Sequence, residues 1–322
     1  MPLVTVVIPA YNAAEWIAET LKSVLQQTYQ HLEVIVVDDG STDRTVDIAE
    51  RVLRTEKHRY QILRQENRGP SAARNRGWRS GFGSWIQFLD ADDILRPDKI
   101  ELQIAKRSDL TDVIYSDWQR LRFTGEIWKR EEYVYAPVIG KNALADLLRT
   151  KNFIALGSQL FRSDVLRRLG GFDESHRFIE DVELHIKIAM ENGAFVKALS
   201  NGPIFWYRDR AQSQSKSDRI EFIGGCIRNA RMVERHLRET KGWSTEIVEQ
   251  IVAVYYFGAK YFAEHDWARF EELVRDIEAL HPGFQPSGSF ALRSISRVFG
   301  YRNAERISLT YRRLKSLAGG SA

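Results

Sequence analysis

The chain has 322 residues, 43% of them hydrophobic and 28% charged, ordinary globular proportions that exclude wholesale disorder. Its 47 basic and 43 acidic residues leave a formal charge of +4, and the excess is local: residues 286–322 carry +6 and the remainder −2, which excludes a nucleic-acid-binding body. A single cysteine, Cys226, excludes an internal disulfide framework and a CxxC zinc site.

The opening MPLVTVVIPAYN lacks the charged start of a secretory signal, and no apolar run approaches the ~18 residues a membrane span needs. A cytoplasmic protein is therefore expected. Leu3 to Ile8 is a continuous β-branched run, the pattern of a strand buried on both faces. Ala14 to Gln27 follows with Trp16, Ile17, Leu21, Val24 and Leu25 at helical spacing. Glu33 to Val37 reads as a second strand, and Ser41 to Leu53 as a helix opened by Ser, Thr and Asp cap residues. Tyr60 to Leu63 is a third strand. Pro70 to Arg79 is a helix with proline in its first turn, and Trp85 to Leu89 a fourth strand before the helix that Pro97 opens. Strands alternating with helices predict an open, mainly parallel sheet.

Beyond residue 110 the rhythm changes. Val113 to Leu121, Gly125 to Tyr135, Phe195 to Leu199 and Ile204 to Tyr207 read as strands, and Asn142 to Leu148 and Val165 to Leu169 as short helices. Asp218 to Leu280 is helical, with the aromatics between Tyr255 and Phe262 expected in its core, and His281 to Ser289 is a linker.

Strand one ends in Pro9-Ala10-Tyr11-Asn12, not GxGxxG, and no GxxxxGK[ST] occurs, so neither a dinucleotide fingerprint nor a P-loop is present. Strand two ends in Asp38-Asp39-Gly40-Ser41. In an open α/β sheet ligands bind beyond the carboxyl ends of strands, where Asp39 could accept hydrogen bonds from a base or a ribose; the same residues also suit a turn and helix cap. Strand four ends in Asp90-Ala91-Asp92-Asp93, carboxylates that suit Mg²⁺ or Mn²⁺ bridging to phosphate. Arg74 and Asn75 fall on the helix after strand three, where a cation could balance the acids or contact a pyrophosphate; alternatively they belong to a solvated helix face.

Three segments, VVIPAYNAAEWIAETLKSVLQQTYQHLEVIVVDDGSTD, NRGPSAARNRG and WIQFLDADD, together with Gly170-Gly171-Phe172-Asp173-Glu174 and Glu180-Asp181, resemble glycosyltransferase family 2 over roughly residues 3 to 210. The resemblance implies an α/β GT-A fold and an inverting, metal-dependent transfer from a nucleotide-sugar. Pro9, Ala10 and Tyr11 would line the nucleobase and ribose, Asp39 would bind the base, Asp90 would contact nucleotide or sugar, and Asp92 would hold the Mn²⁺ or Mg²⁺. Asp181 would be the catalytic base. An inverting transfer needs one carboxylate to take the acceptor proton, although Asp181 also reads as the N-cap of a helix from Val182 to Met190.

The chain departs from the family after the acidic pair, where Val182-Glu183-Leu184-His185 stands. It lacks the QxxRW of processive members and carries Trp206-Tyr207-Arg208-Asp209-Arg210 instead, so one sugar per event is expected. Arg208 and Arg210 are candidate pyrophosphate contacts or, alternatively, a basic loop. The expected layout is a transferase domain over 1–215, a helical extension over 216–285 and a basic amphipathic tail over 286–322. The donor is expected to be a UDP-sugar and the acceptor a glycan or lipid-linked hydroxyl of surface polysaccharide synthesis. A nucleotidyltransferase and a catalytically silent scaffold remain open.

In the tail, Leu292, Ile295, Val298 and Phe299 share one helical face, and Ile307, Tyr311, Leu314 and Leu317 another, among Arg306, Arg312, Arg313 and Lys315. Such a pattern suits a helix lying on the inner face of an anionic membrane or one docked on the catalytic domain.

Overall fold

The computed structural model describes all residues except 55–57, 150–151, 177, 211–217 and 318–322. The chain divides into two units, Met1–Phe222 and Ile223–Ala322.

In the first unit, β1 (Val4–Ala10), β2 (Leu32–Asp38), β3 (Arg59–Arg64) and β4 (Trp85–Phe88) alternate with α1 (Ile17–Leu25), α2 (Thr45–Leu53) and α3 (Pro70–Ser80). β1 lies between β2 and β4, parallel to both, and β2 pairs parallel with β3. The residues of β2 and β4 are all buried, and so are nearly all those of β1, as their predominantly apolar runs favour; the polar Thr5, Glu33, Asp38 and Gln87 are buried with them. The parallel register brings the ends of these strands, and the loops that carry Tyr11, Asp39 and Asp90, to one edge.

The rest of the unit is less regular. β5 (Ile94–Leu95) and α4 (Lys99–Ile104) precede β6 (Val113–Tyr115), β7 (Trp118–Phe123) and β8 (Trp128–Tyr135). α5 (Ala143–Leu148), β9 (Gln159–Arg162), α6 (Ser163–Leu169), α7 (Glu180–Met190), β10 (Phe195–Lys197) and β11 (Phe205–Asp209) follow. The seven-stranded sheet runs β10-β6-β9-β4-β1-β2-β3, with β9 antiparallel to both neighbours, and a second sheet runs β5-β11-β7-β8. The single strand expected over Val113 to Leu121 is thus two strands in different sheets. The break falls at Ser116-Asp117, where the buried Ser116 hydroxyl donates to the Ser158 carbonyl and Asp117 pairs with Lys197 at 2.7 Å.

The second unit contains most of α8 (Arg219–Thr240), then α9 (Thr245–His265), α10 (Trp267–Leu280) and α11 (Phe290–Leu317). Tyr255 and Phe262 of the aromatic run are buried in its core, as expected, beside Ile227, Val233, Ile251, Phe270 and Ile277. α11 is bent at Gly300 (φ 77°), which separates two helical stretches. Among the described residues no helix is long and apolar enough to cross a membrane.

Candidate active site

The site starts where β1 and β2 end. Asn12 turns the chain with φ 47°, and its side-chain carbonyl accepts the Thr42 N–H at 2.9 Å while its own N–H donates to Ser41 Oγ at 3.0 Å. The N–H groups of Ala13 and Ala14 donate to Thr45 Oγ1 and Asp43 Oδ2. These bonds lace the loop after β1 to the loop after β2. Pro9 and Ala10 sit inside β1, whereas Tyr11 is exposed at the rim.

Asp39 is buried, and its carboxylate organises the approach to α3. Oδ1 accepts from Gln65 Nε2 (2.8 Å) and the Arg68 N–H (2.9 Å), and Oδ2 from the Gly69 N–H (2.8 Å). Gly40 (φ 81°) lets this happen, because a Cβ there would stand 3.0 Å from the Asn67 nitrogen. The carboxylate oxygens keep acceptor capacity beyond these three bonds.

α3 carries the cation that joins the acidic motifs. The Arg74 side chain is 6% exposed, with Nη2 2.8 Å from Asp90 Oδ1 and Nη1 2.6 Å from Glu180 Oε1. Burial alone would disfavour its charge, but Asp90 and Glu180 together raise its pKa. Arg74 therefore balances the acids by bridging the end of β4 to the start of α7. Glu180 is the member of this network whose part the sequence left unassigned, since its partner is 106 residues away.

Asp92 faces Arg210 at 2.5 Å, just beyond β11. Burial raises the Asp92 carboxyl to about 6; Arg210 opposes the shift and Asp90 adds to it. The neighbouring Asp93 is pushed well up by burial and by Asp92 and Asp90, and accepts the Arg208 N–H at 2.8 Å. Asp90 and Asp92 offer the hard oxygens that suit a divalent cation, and each is held by an arginine, Arg74 and Arg210, so the donor chemistry fits such an ion although the three carboxylates do not converge on one point.

Asp181 lies in the first turn of α7, but Ile179, not Asp181, holds the N-cap position. The Asp181 carboxylate accepts the adjacent Val182 N–H at 2.8 Å. Burial, reinforced by Glu180, raises its carboxyl to about 7, while the side chain remains partly accessible. Ile179 has φ 52°, a conformation strained for a β-branched residue, directly before the acidic pair. The preceding glycine-rich turn is fixed on α3. Buried Asn75 accepts the Phe172 N–H (2.9 Å) and donates to the Phe172 carbonyl (2.8 Å) and to Glu174 (3.0 Å). Nothing in the residue types of that turn announced this role for Asn75.

Arg208 takes a different position from Arg210. Its guanidinium is buried, 2.6 Å from Glu19 and 4.6 and 5.1 Å from the ring centres of Trp16 and Trp128. Asp173, His176 and Glu183 also bring potential metal-ligand atoms within 4.8 Å of one another, but His176 and Lys187 already contact both Glu183 oxygens.

The comparisons with known proteins place the chain in a family. The sequence pattern of "Glycosyl transferase family 2" matches residues 5–170, just over half the chain, and the chain belongs to that family. It is 34% identical over 205 residues to an uncharacterized glycosyltransferase of Rickettsia felis, a match covering 61% of this chain and 32% of the relative. It is 41% identical over 103 residues to TuaG of Bacillus subtilis, a putative teichuronic acid biosynthesis glycosyltransferase, covering 32% of this chain and 41% of that one. The chain thus spans about a third of the length of the Rickettsia relatives it matches. Among solved structures, residues 1–349 of Staphylococcus aureus TarS in complex with UDP-GlcNAc align over 97% of this chain and 92% of that one, with TM-score 0.67 and 18% identity. The mannosyltransferase PcManGT of Pyrobaculum calidifontis, in complex with GDP-Man and Mn²⁺, aligns over 99% and 88%, with TM-score 0.53 and 19% identity. The fold is accordingly the α/β GT-A fold, with a helical C-terminal unit.

Proposed function

We propose that the chain transfers one sugar from a nucleotide-diphosphate sugar to an acceptor hydroxyl with inversion at the anomeric carbon. The observation that carries the reading is the Asp90–Arg74–Glu180 bridge, which sets the acids after β4 beside Asp181. A carboxyl that titrates near 7 is poised as a general base at neutral pH: ionised often enough to act, basic enough to take a hydroxyl proton. Asp181 accepts that proton as the acceptor oxygen attacks the anomeric carbon, and the nucleotide diphosphate leaves from the opposite face. Glu180 stays ion-paired to Arg74, which keeps a second charge from competing for the proton.

On the donor side, Pro9, Ala10 and Tyr11 would line base and ribose and Asp39 would meet the base. Asp90 would meet ribose or sugar, and Arg74 would hold Asp90 in place. Asp92, with Asp90 beside it, would hold Mn²⁺ or Mg²⁺, whose chemistry is to neutralise diphosphate charge. Arg210, paired with Asp92, would follow it onto the diphosphate, and buried Arg208 would support that strand through Asp93 and Glu19. A UDP-sugar is the proposed donor, and the acceptor is a glycan or lipid-linked hydroxyl in surface polysaccharide synthesis, reached from the inner face of the membrane. TarS bound to UDP-GlcNAc and the name of TuaG support this choice.

Incubation with Mn²⁺ and a panel of nucleotide-sugars, followed by NMR of the released sugar or product, tests the reading. Nucleoside diphosphate release with inverted anomeric configuration is expected. Pyrophosphate exchange would instead indicate a nucleotidyltransferase, and no turnover with any donor or acceptor a binding protein.

A further inference from the structure

α11 carries two apolar faces, and only one is covered. Beyond the bend at Gly300, Tyr301, Ala304 and Leu309 are buried, with the Tyr301 ring 5.6 Å from the rings of both Tyr256 and Phe270. Ile307, Tyr311 and Leu314, spaced i, i+4, i+7, form a separate stripe and are 48%, 67% and 61% exposed. Before the bend, Val298 and Phe299 are exposed as well.

The charges around these residues fall into two sets. Arg302 is bound to Glu271, and Arg312 to Glu264 and Glu305, so both are tied into the helical unit. Arg293, Arg297 and Arg306 are exposed and have no acidic partner among the described residues. Arg306 lies about a quarter-turn around the helix from Ile307, flanking the stripe.

We propose that this face of α11 seats on an anionic lipid surface. A second copy of the chain fits poorly, because a symmetric contact would bring Arg293, Arg297 and Arg306 of one copy toward the same arginines of the other. An exposed apolar stripe with arginines beside it suits a lipid surface: the apolar side chains reach the acyl boundary, and arginine stems extend toward headgroups while their charged ends stay hydrated. The covered face holds the helix to its unit and leaves the stripe free for the interface. This inference goes beyond the transferase reading and does not depend on it, because lipid binding needs no turnover.

The test is sedimentation of the full chain with vesicles of phosphatidylcholine alone or with about 30% phosphatidylglycerol, at low and raised salt. Pelleting only with the anionic vesicles, weakened by salt, is expected. Arg293→Glu with Arg297→Glu and Arg306→Glu is expected to cut partitioning about tenfold or more, Ile307→Ser with Leu314→Ser to cut it similarly, and the triple Arg→Lys variant to keep most of it. Urea midpoints check that each variant folds. No pelleting at low salt, equal pelleting with neutral vesicles, or a concentration-dependent dimer abolished by the serine pair would overturn the proposal.

Discussion

Asp181 combines two requirements that oppose each other: a base must be ionised, and its surroundings resist ionisation. Its carboxyl is raised from 3.8 to about 7, first by burial and then by Glu180. A raised acid favours the folded state while protonated, so its destabilising effect is absent below about 3.8 and develops as pH rises toward 7. Asp181→Asn is therefore expected to melt above wild type at about pH 8, with the difference fading toward about pH 4. The same variant should bind nucleotide-sugar normally and lose about 10²–10⁴ in turnover, and wild-type turnover should rise through pH 7. Weakened donor affinity with unchanged turnover would place the base elsewhere. Asp92→Asn tests the other acidic motif. Its volume is conserved while the charge facing Arg210 is lost, so Mn²⁺-dependent turnover should collapse with the fold intact. Full turnover at ordinary Mn²⁺ would remove Asp92 from the cation site.

At the scale of elements, β1, β2 and β4 were legible because a strand buried on both faces writes a mostly apolar run, here interrupted by Thr5, Glu33 and Gln87. β6, β9 and β10 have three or four residues, too few to display any period, and the antiparallel insertion of β9 leaves no local mark. The acids of the site were visible at strand ends, but the Arg74–Glu180 contact joins residues far apart in the chain and exists only after α3 and α7 meet. The turn that brings α7 there depends on Gly171. At φ 84°, a Cβ would stand 2.3 Å from Asn75 Oδ1, the atom that accepts the Phe172 N–H. Gly171→Ala is expected to cost about 2–4 kcal/mol, from overpacking as well as strain. Gly170 has a similar φ of 81° but nothing within 4 Å of its added Cβ. Gly170→Ala should cost only about 1 kcal/mol. Urea denaturation of the two variants compares them, and equal losses would show that the close approach to Asn75 does not matter.

At the scale of the whole chain, the family pattern ends at residue 170, and the last hundred residues rest on packing alone. There the sequence showed amphipathic helices but not which face was covered, since Tyr301 and Tyr311 are chemically alike. Contacts decide between them: Tyr301 is enclosed by Tyr256, Phe270 and Phe284, while Tyr311 faces outward. The enclosed ring also carries a liability. Its hydroxyl is buried and has no hydrogen-bond partner among the described residues, and burial drives its pKa upward. An unpaired buried hydroxyl costs about 1–3 kcal/mol, whereas the ring around it is wanted for packing. Tyr301→Phe is therefore expected to stabilise the full chain by about 1 kcal/mol, and Tyr301→Ala to destabilise it by about 3 kcal/mol. Tyr311→Ala, on the open face, should change stability by less than about 0.5 kcal/mol. If Tyr301→Phe is the more damaging of the two Tyr301 changes, the hydroxyl has a partner and the ring is not what anchors α11.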